Sequence, residues 1–169
     1  MKKHKKFIQI AILLMVAAAG VLAISDSLSG GSPTPPQAGD RAPDFRVEGL
    51  DGSVYRLSDF AGQTVVLNFW GSFCEPCVRE MPLLQGVYEK HRDSGVVVLG
   101  SNLDEKLLTV QSFVERTGVT FPILLDHNDI QKKYGVIYYP TTFVIGPDGR
   151  VKYKKIGEIT DPRELERYF

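Results

Sequence analysis

Thr64-Val65-Val66-Leu67-Asn68-Phe69-Trp70-Gly71-Ser72-Phe73-Cys74-Glu75-Pro76-Cys77 is the stretch on which the fold turns. Its first half is a nearly continuous β-prone run, the pattern of a strand buried on both faces. After Cys77, the residues Val78, Met81, Leu84 and Tyr88 recur at helical spacing, so a helix with one apolar face is expected to reach about His91. Pro82 falls inside it and is expected to remove one backbone bond and kink the helix. The chain has only two cysteines, and both sit at this strand-to-helix junction.

Outward from the junction, strands and helices alternate. Upstream, residues 45–47 and 54–57 flank the turn pair Asp51-Gly52 and read as a β-hairpin, followed by a helical turn over 57–62. Downstream, strands are expected over 95–100 and 121–125, with helices over 107–116 and 129–134 and Gly118 as a stop signal. Residues 142–145 and 151–156 form a hairpin around Pro147-Asp148-Gly149. Asp161 as N-cap and Pro162 at the first helical position open a last helix, so short at Phe169 that more chain is expected to follow it. This order predicts a three-layer α/β domain with a mixed sheet, spanning residues 40–169.

The N-terminus is different in kind. Lys2, Lys3, Lys5 and Lys6 precede any acidic residue, and residues 7–24 are apolar apart from Gln9. As a helix that run spans about 27 Å, close to the thickness of a bilayer's hydrocarbon core. The lysines favour the cytoplasmic side, which places the rest of the chain outside. A signal peptide cleaved near Ala17-Ala18-Ala19 is the competing reading; the run continues past those alanines to Ile24, which favours an uncleaved anchor. Residues 25–39, with Gly30-Gly31-Ser32-Pro33-Thr34-Pro35-Pro36, read as a tether. The formal net charge is zero and no basic patch interleaves with aromatics, so nucleic acid is not an expected partner.

Four readings of the Cys74/Cys77 pair compete. Structural zinc needs four ligands, and His4, His91 and His127 are widely scattered. Covalent haem attachment wants His where Val78 stands. A purely structural disulfide closing so short a loop contributes only about 2 kcal/mol in the chain-entropy model. A redox dithiol is favoured by the junction itself. Unpaired N–H groups and the positive end of the helix dipole stabilise a thiolate at the cap, so Cys74 reads as the exposed nucleophile and Cys77 as the shielded resolving thiol. Pro76 suits the first turn, and the charge of Glu75 opposes thiolate formation. Glu80, three residues after Cys77 on the same face, is either a proton acceptor for Cys77 or a solvated carboxylate; spacing leaves both open. Trp70 and Phe73 read as wall and lid of the site, with Trp70 also a candidate core residue. His91 reads as a helix C-terminal charge and His127 as solvated.

With these residues in view, the chain resembles the membrane-anchored thioredoxin-like proteins of the ResA/TlpA group, which reduce disulfides during cytochrome c maturation. The carrying segments are Ala42-Pro43-Asp44-Phe45, Leu57-Ser58-Asp59, residues 67–77 and Tyr139-Pro140-Thr141-Thr142-Phe143. The resemblance implies a thioredoxin-like α/β/α sandwich in which residues 107–126 are an added helix and strand. It further implies that Pro140 is cis and faces the cysteines, and that Glu80 takes the proton of Cys77, since Asn68 stands where plain thioredoxins carry an Asp. Tyr139 departs from the smaller residue expected there and should reshape the substrate groove. Implied partners are disulfide-bearing proteins, apocytochrome c among them, and a transmembrane thiol electron donor. No cofactor beyond the dithiol is expected. Two other classes compete with this one. A thiol peroxidase shares the entry segments, but Leu67 and Gly71 occupy positions its peroxide pocket needs. A copper(I) chaperone spaces its cysteines differently and would need a better placed histidine than His127.

Overall fold

The computed structural model describes residues 34–169. The lysine cluster, the apolar run 7–24 and the tether up to residue 33 lie outside the described residues. Among the described residues no helix is long and apolar enough to cross a membrane.

Strands β1 (Arg46–Glu48) and β2 (Val54–Arg56) pair antiparallel as a separate two-stranded sheet. Their turn uses Gly52 at φ 77°, and Asp51 Oδ1 accepts the Ser53 amide at 3.0 Å. Five further strands form the mixed sheet: β3 (Thr64–Trp70), β4 (Val96–Leu103), β5 (Ile123–Asp126), β6 (Thr141–Ile145) and β7 (Val151–Ile156), in spatial order β5-β4-β3-β6-β7. β3, β4 and β5 run parallel; β6 and β7 are antiparallel to their neighbours. The Leu50 amide donates to the Ile123 carbonyl at 2.8 Å, so the small hairpin is bonded onto β5 at the sheet edge.

Parallel neighbours need crossovers, and these are helices α1 (Glu75–His91) and α2 (Leu107–Thr117). Helix α3 (Asp129–Tyr134) precedes β6, and α4 (Arg163–Glu166) follows β7. Every residue of β3 is buried, and its side chains alternate between two cores. Val66 and Trp70 pack with Cys77, Met81, Leu84 and Phe113 on one face. Val65, Leu67 and Phe69 pack with Phe45, Ile130 and Tyr134 on the other. Helices therefore cover both faces, giving the three-layer sandwich read from the sequence.

The differences are local and physical. Helix α1 runs unbroken through Pro82, whose side faces solvent. Its buried stripe is Cys77, Glu80, Met81, Leu84 and Val87, while Val78 and Tyr88 are only half-buried. β4 continues three residues beyond Gly100, because Ser101 and Asn102 are buried polar residues that an apolar pattern skips. Pro162, not Asp161, is the cap of α4, and Asp161 Oδ1 accepts the Arg163 amide at 2.9 Å. Packing begins ahead of residue 40: the Gly39 amide donates to Val151 O at 2.8 Å, and the compact unit starts at Pro35.

Candidate active site

β3 ends at Trp70, and the chain turns through Gly71-Ser72-Phe73 into α1, with the Cys74 amide donating to Gly71 O at 3.1 Å. Gly71 has a local reason: a Cβ there would meet the Phe73 ring at 2.5 Å. Cys74 is the N-cap of α1, and its Sγ accepts the Cys77 amide at 3.3 Å. That bond uses one of the helix's unpaired donors and stabilises negative charge on sulfur. Pro76 lies in the first turn, where no donor is lost. The two sulfurs form a disulfide, so the structure is of the oxidised protein. Cys77 is fully buried and Cys74 half-buried, the division of labour that a nucleophilic and a resolving thiol require.

Glu80 lies one turn further along and is 1% exposed. Its Oε1 accepts Asn68 Nδ2 at 2.8 Å and its Oε2 accepts the Ile159 amide at 2.8 Å. Burial is the dominant influence and pushes the carboxyl up to about 7, while the two hydrogen bonds pull it down and the Glu158 and Glu164 charges add to the rise. Glu80 is therefore a buried, hydrogen-bonded carboxyl and not the solvated one that spacing also allowed. Asn68 suits this neighbour as an Asp would not. Its Nδ2 serves Glu80 and Thr142 Oγ1, at 2.8 and 3.0 Å, while its Oδ1 has no partner. An amide can turn either a donor or an acceptor toward a group that gains and loses a proton.

The remaining expected residues divide. The Tyr139–Pro140 peptide is cis and Pro140 is buried. Tyr139 packs half-buried on the cluster that holds Cys77, and its hydroxyl is bonded by Gln131 Nε2, which ties the ring toward α3. Trp70 is core, fully buried with its ring centroid 4.7 Å from that of Phe113, and its Nε1 is unpartnered. Phe73 is 70% exposed, with its ring against the backbone of Gly71. His91 ends α1 and reaches Glu166 Oε1 at 3.0 Å; exposed His127 pairs with Asp104 at 2.8 Å. Among the described residues no group of three or more His, Cys, Asp or Glu could hold a metal.

Two features were invisible in the sequence. Glu105 accepts the Ser72 amide at 2.7 Å and the Ser72 hydroxyl at 2.5 Å, clamping the turn that carries Cys74. Arg79 joins exposed Glu75, at 2.9 Å, to Glu158 in the loop after β7. Neither pair has a local pattern: Ser72 and Glu105 are 33 residues apart, Arg79 and Glu158 are 79 apart.

Comparison with known proteins agrees with this geometry. Residues 38–154 match the AhpC/TSA family. The chain is 39% identical to the thiol-disulfide oxidoreductase ResA of Geobacillus thermodenitrificans, over 95% of this chain and 92% of that one. It is 35% identical to ResA of Bacillus subtilis, over 95% and 89%. Among solved structures, StoA from Bacillus subtilis superposes with a TM-score of 0.67 at 30% identity, covering 75% of this chain and 96% of that one. The thiol:disulfide interchange protein DsbE from Chlorobium tepidum gives 0.74 at 33% identity, covering 79% and 95%. A thioredoxin-like fold, a disulfide at a helix N-terminus and whole-length similarity converge: this chain belongs to the AhpC/TSA family and is a thiol–disulfide oxidoreductase of the ResA kind.

Proposed function

We propose that the protein works as a reductase of protein disulfides on the outer side of a membrane, anchored by residues 7–24, with apocytochrome c as a substrate. The observation that carries the reductase mechanism is Glu80, buried one turn from Cys77, where burial pushes its carboxyl up to about 7. The Cys74 thiolate attacks a substrate disulfide; that S–S bond breaks, a mixed disulfide forms, and the departing substrate thiolate takes a proton. Cys77 then gives its proton to Glu80 and attacks Cys74 Sγ. The mixed disulfide breaks, the second substrate thiol leaves, and the enzyme is left as the Cys74–Cys77 disulfide. Two electrons have passed to the substrate. A transmembrane dithiol donor must return them, because an external compartment offers no reductant of its own.

The anchor reading rests on the lysine cluster followed by the apolar run 7–24. The peroxidase alternative is disfavoured because Leu67 and Gly71 stand at the positions that its peroxide pocket needs. The test is capture in intact cells. Cys77→Ala should hold its substrate on Cys74, in the membrane fraction, and the captured protein should be an apocytochrome c. Capture of other exported proteins alone would remove the cytochrome assignment, and a soluble protein beginning near Gly20 would replace the anchor with a signal peptide.

A further inference from the structure

Three successive residues after β7 each bond a different part of the active site. The Gly157 amide donates to Pro140 O at 2.8 Å, which holds this loop to the cis-proline turn. Glu158 accepts from Arg79 through Nε and Nη2, the shortest contact being 2.7 Å. The Ile159 amide donates to Glu80 Oε2 at 2.8 Å, and Ile159 itself is 1% exposed. Arg79 and Glu80 are adjacent on α1, as Glu158 and Ile159 are in the loop, so the two bonds are neighbouring rungs between one helix and one segment. Gly157 sits at φ 101°, a left-handed value that turns the chain across α1 and favours glycine.

We propose that residues 157–159 are a strap over Glu80 and that the Arg79–Glu158 ion pair is its latch, making both positioning residues for the proton step at Cys77. This rests on the reading of Glu80 as proton acceptor. The latch keeps the Ile159 N–H on the carboxylate. The groups facing Glu80 are Asn68 from β3, the Ile159 amide and Glu158 from the strap, Lys155 from β7 and Glu164 from α4. Lys155 Nζ is held by Glu164 at 2.7 Å, so that pair largely neutralises itself and leaves the strap as the adjustable neighbour. Arg79 also holds Glu75, which connects the residue between the cysteines to the cover on the buried carboxylate. A bidentate guanidinium contact fixes orientation as well as distance, which a lysine there would not do.

The test uses the full chain, reduced and mixed with 5,5′-dithiobis(2-nitrobenzoate). Cys74 releases the first thionitrobenzoate; attack by Cys77 on the resulting mixed disulfide releases the second, so the second phase reads the resolving step. Glu158→Gln and Arg79→Gln should each raise the pH midpoint of that phase by roughly half a unit, because both free the Ile159 amide from Glu80. The double variant should shift no further than either single one. Charge acting through space alone predicts opposite shifts, downward for Glu158→Gln and upward for Arg79→Gln, and that result overturns the latch. An independent reading is amide hydrogen exchange. Both variants should speed exchange at Ile159 by roughly fivefold and leave Val66 in β3 unchanged. Unaltered Ile159 exchange overturns the proposal whatever the kinetics do. If Glu80→Gln leaves the second phase unmoved while Ile159 exchange still responds, the strap stands and the proton role of Glu80 falls.

Discussion

At the start of helix α1, two cysteines and two acids form an outer pair, Cys74 and Glu75, and an inner pair, Cys77 and Glu80. Glu75 is exposed and bridged to Arg79; Glu80 is buried and held by Asn68 and the Ile159 amide. The residue types are the same, and their surroundings assign opposite tasks. At the outer pair, water and the helix terminus let a thiolate exist. At the inner pair, burial makes the carboxylate expensive and pushes Glu80 up to about 7, closer to a thiol's range than a solvated carboxyl lies. The difference teaches that three to five residues of helix suffice to separate attack from resolution.

The largest expected effect comes from deleting the inner sulfur. Cys77→Ala should still form a mixed disulfide through Cys74 yet lose turnover by on the order of a thousandfold, measured as reduction of a protein disulfide under excess dithiol reductant. Retained turnover would mean that the outer pair resolves its own adduct. Next comes Glu80→Gln, which keeps the shape and removes the proton acceptor. Release of the second thionitrobenzoate should slow by about a hundredfold near pH 7 and recover at higher pH, where solvent hydroxide takes the proton.

The same substitution should act on stability with a definite sign. Folded, Glu80 keeps its proton up to about pH 7; unfolded, it ionises at the ordinary carboxylate value of about 4.3. Between those values the folded oxidised protein binds more protons, so its stability falls as pH rises through that window. Glu80→Gln removes the fall. Urea unfolding of the oxidised proteins should therefore find the variant more stable at pH 8 by about 3 kcal/mol and nearly equal to the parent at pH 4.

How far the sequence carries this division depends on the length scale of each signal. Cys74 and Cys77 were legible because strand, turn and helix start lie within one continuous stretch whose period changes at Gly71. The helices and strands were legible to within a few residues for the same reason. The buried stripe of α1 was drawn through Val78 and Tyr88 because an apolar count passes over an acid; Glu80 on the stripe was itself the signal. The cis peptide before Pro140 followed from family resemblance, since Tyr-Pro alone does not specify it. Ile159, Glu158 and Glu105 were beyond reach, because their partners are set by the closing of the sheet and not by any local period.

The smallest effect belongs to the outer acid, and it separates the two pairs most cleanly. Glu75 is the first residue of α1, where its charge is favourable to the helix dipole and unfavourable to a thiolate on Cys74. Its side chain is in water, and Arg79 neutralises part of it. Glu75→Gln should therefore lower the pH at which Cys74 becomes reactive to iodoacetamide by only about 0.3 units, and shift the disulfide potential slightly in the oxidising direction. An exposed charge acts through solvent, so the shift should fade as salt is raised toward 1 M, where the screening length is about 3 Å. The effect of Glu80→Gln, exerted inside the protein, should persist in the same salt. A Glu75→Gln variant that slowed resolution as much as Glu80→Gln, or whose effect ignored salt, would mean that the two carboxylates share one proton path and that the helix does not divide them.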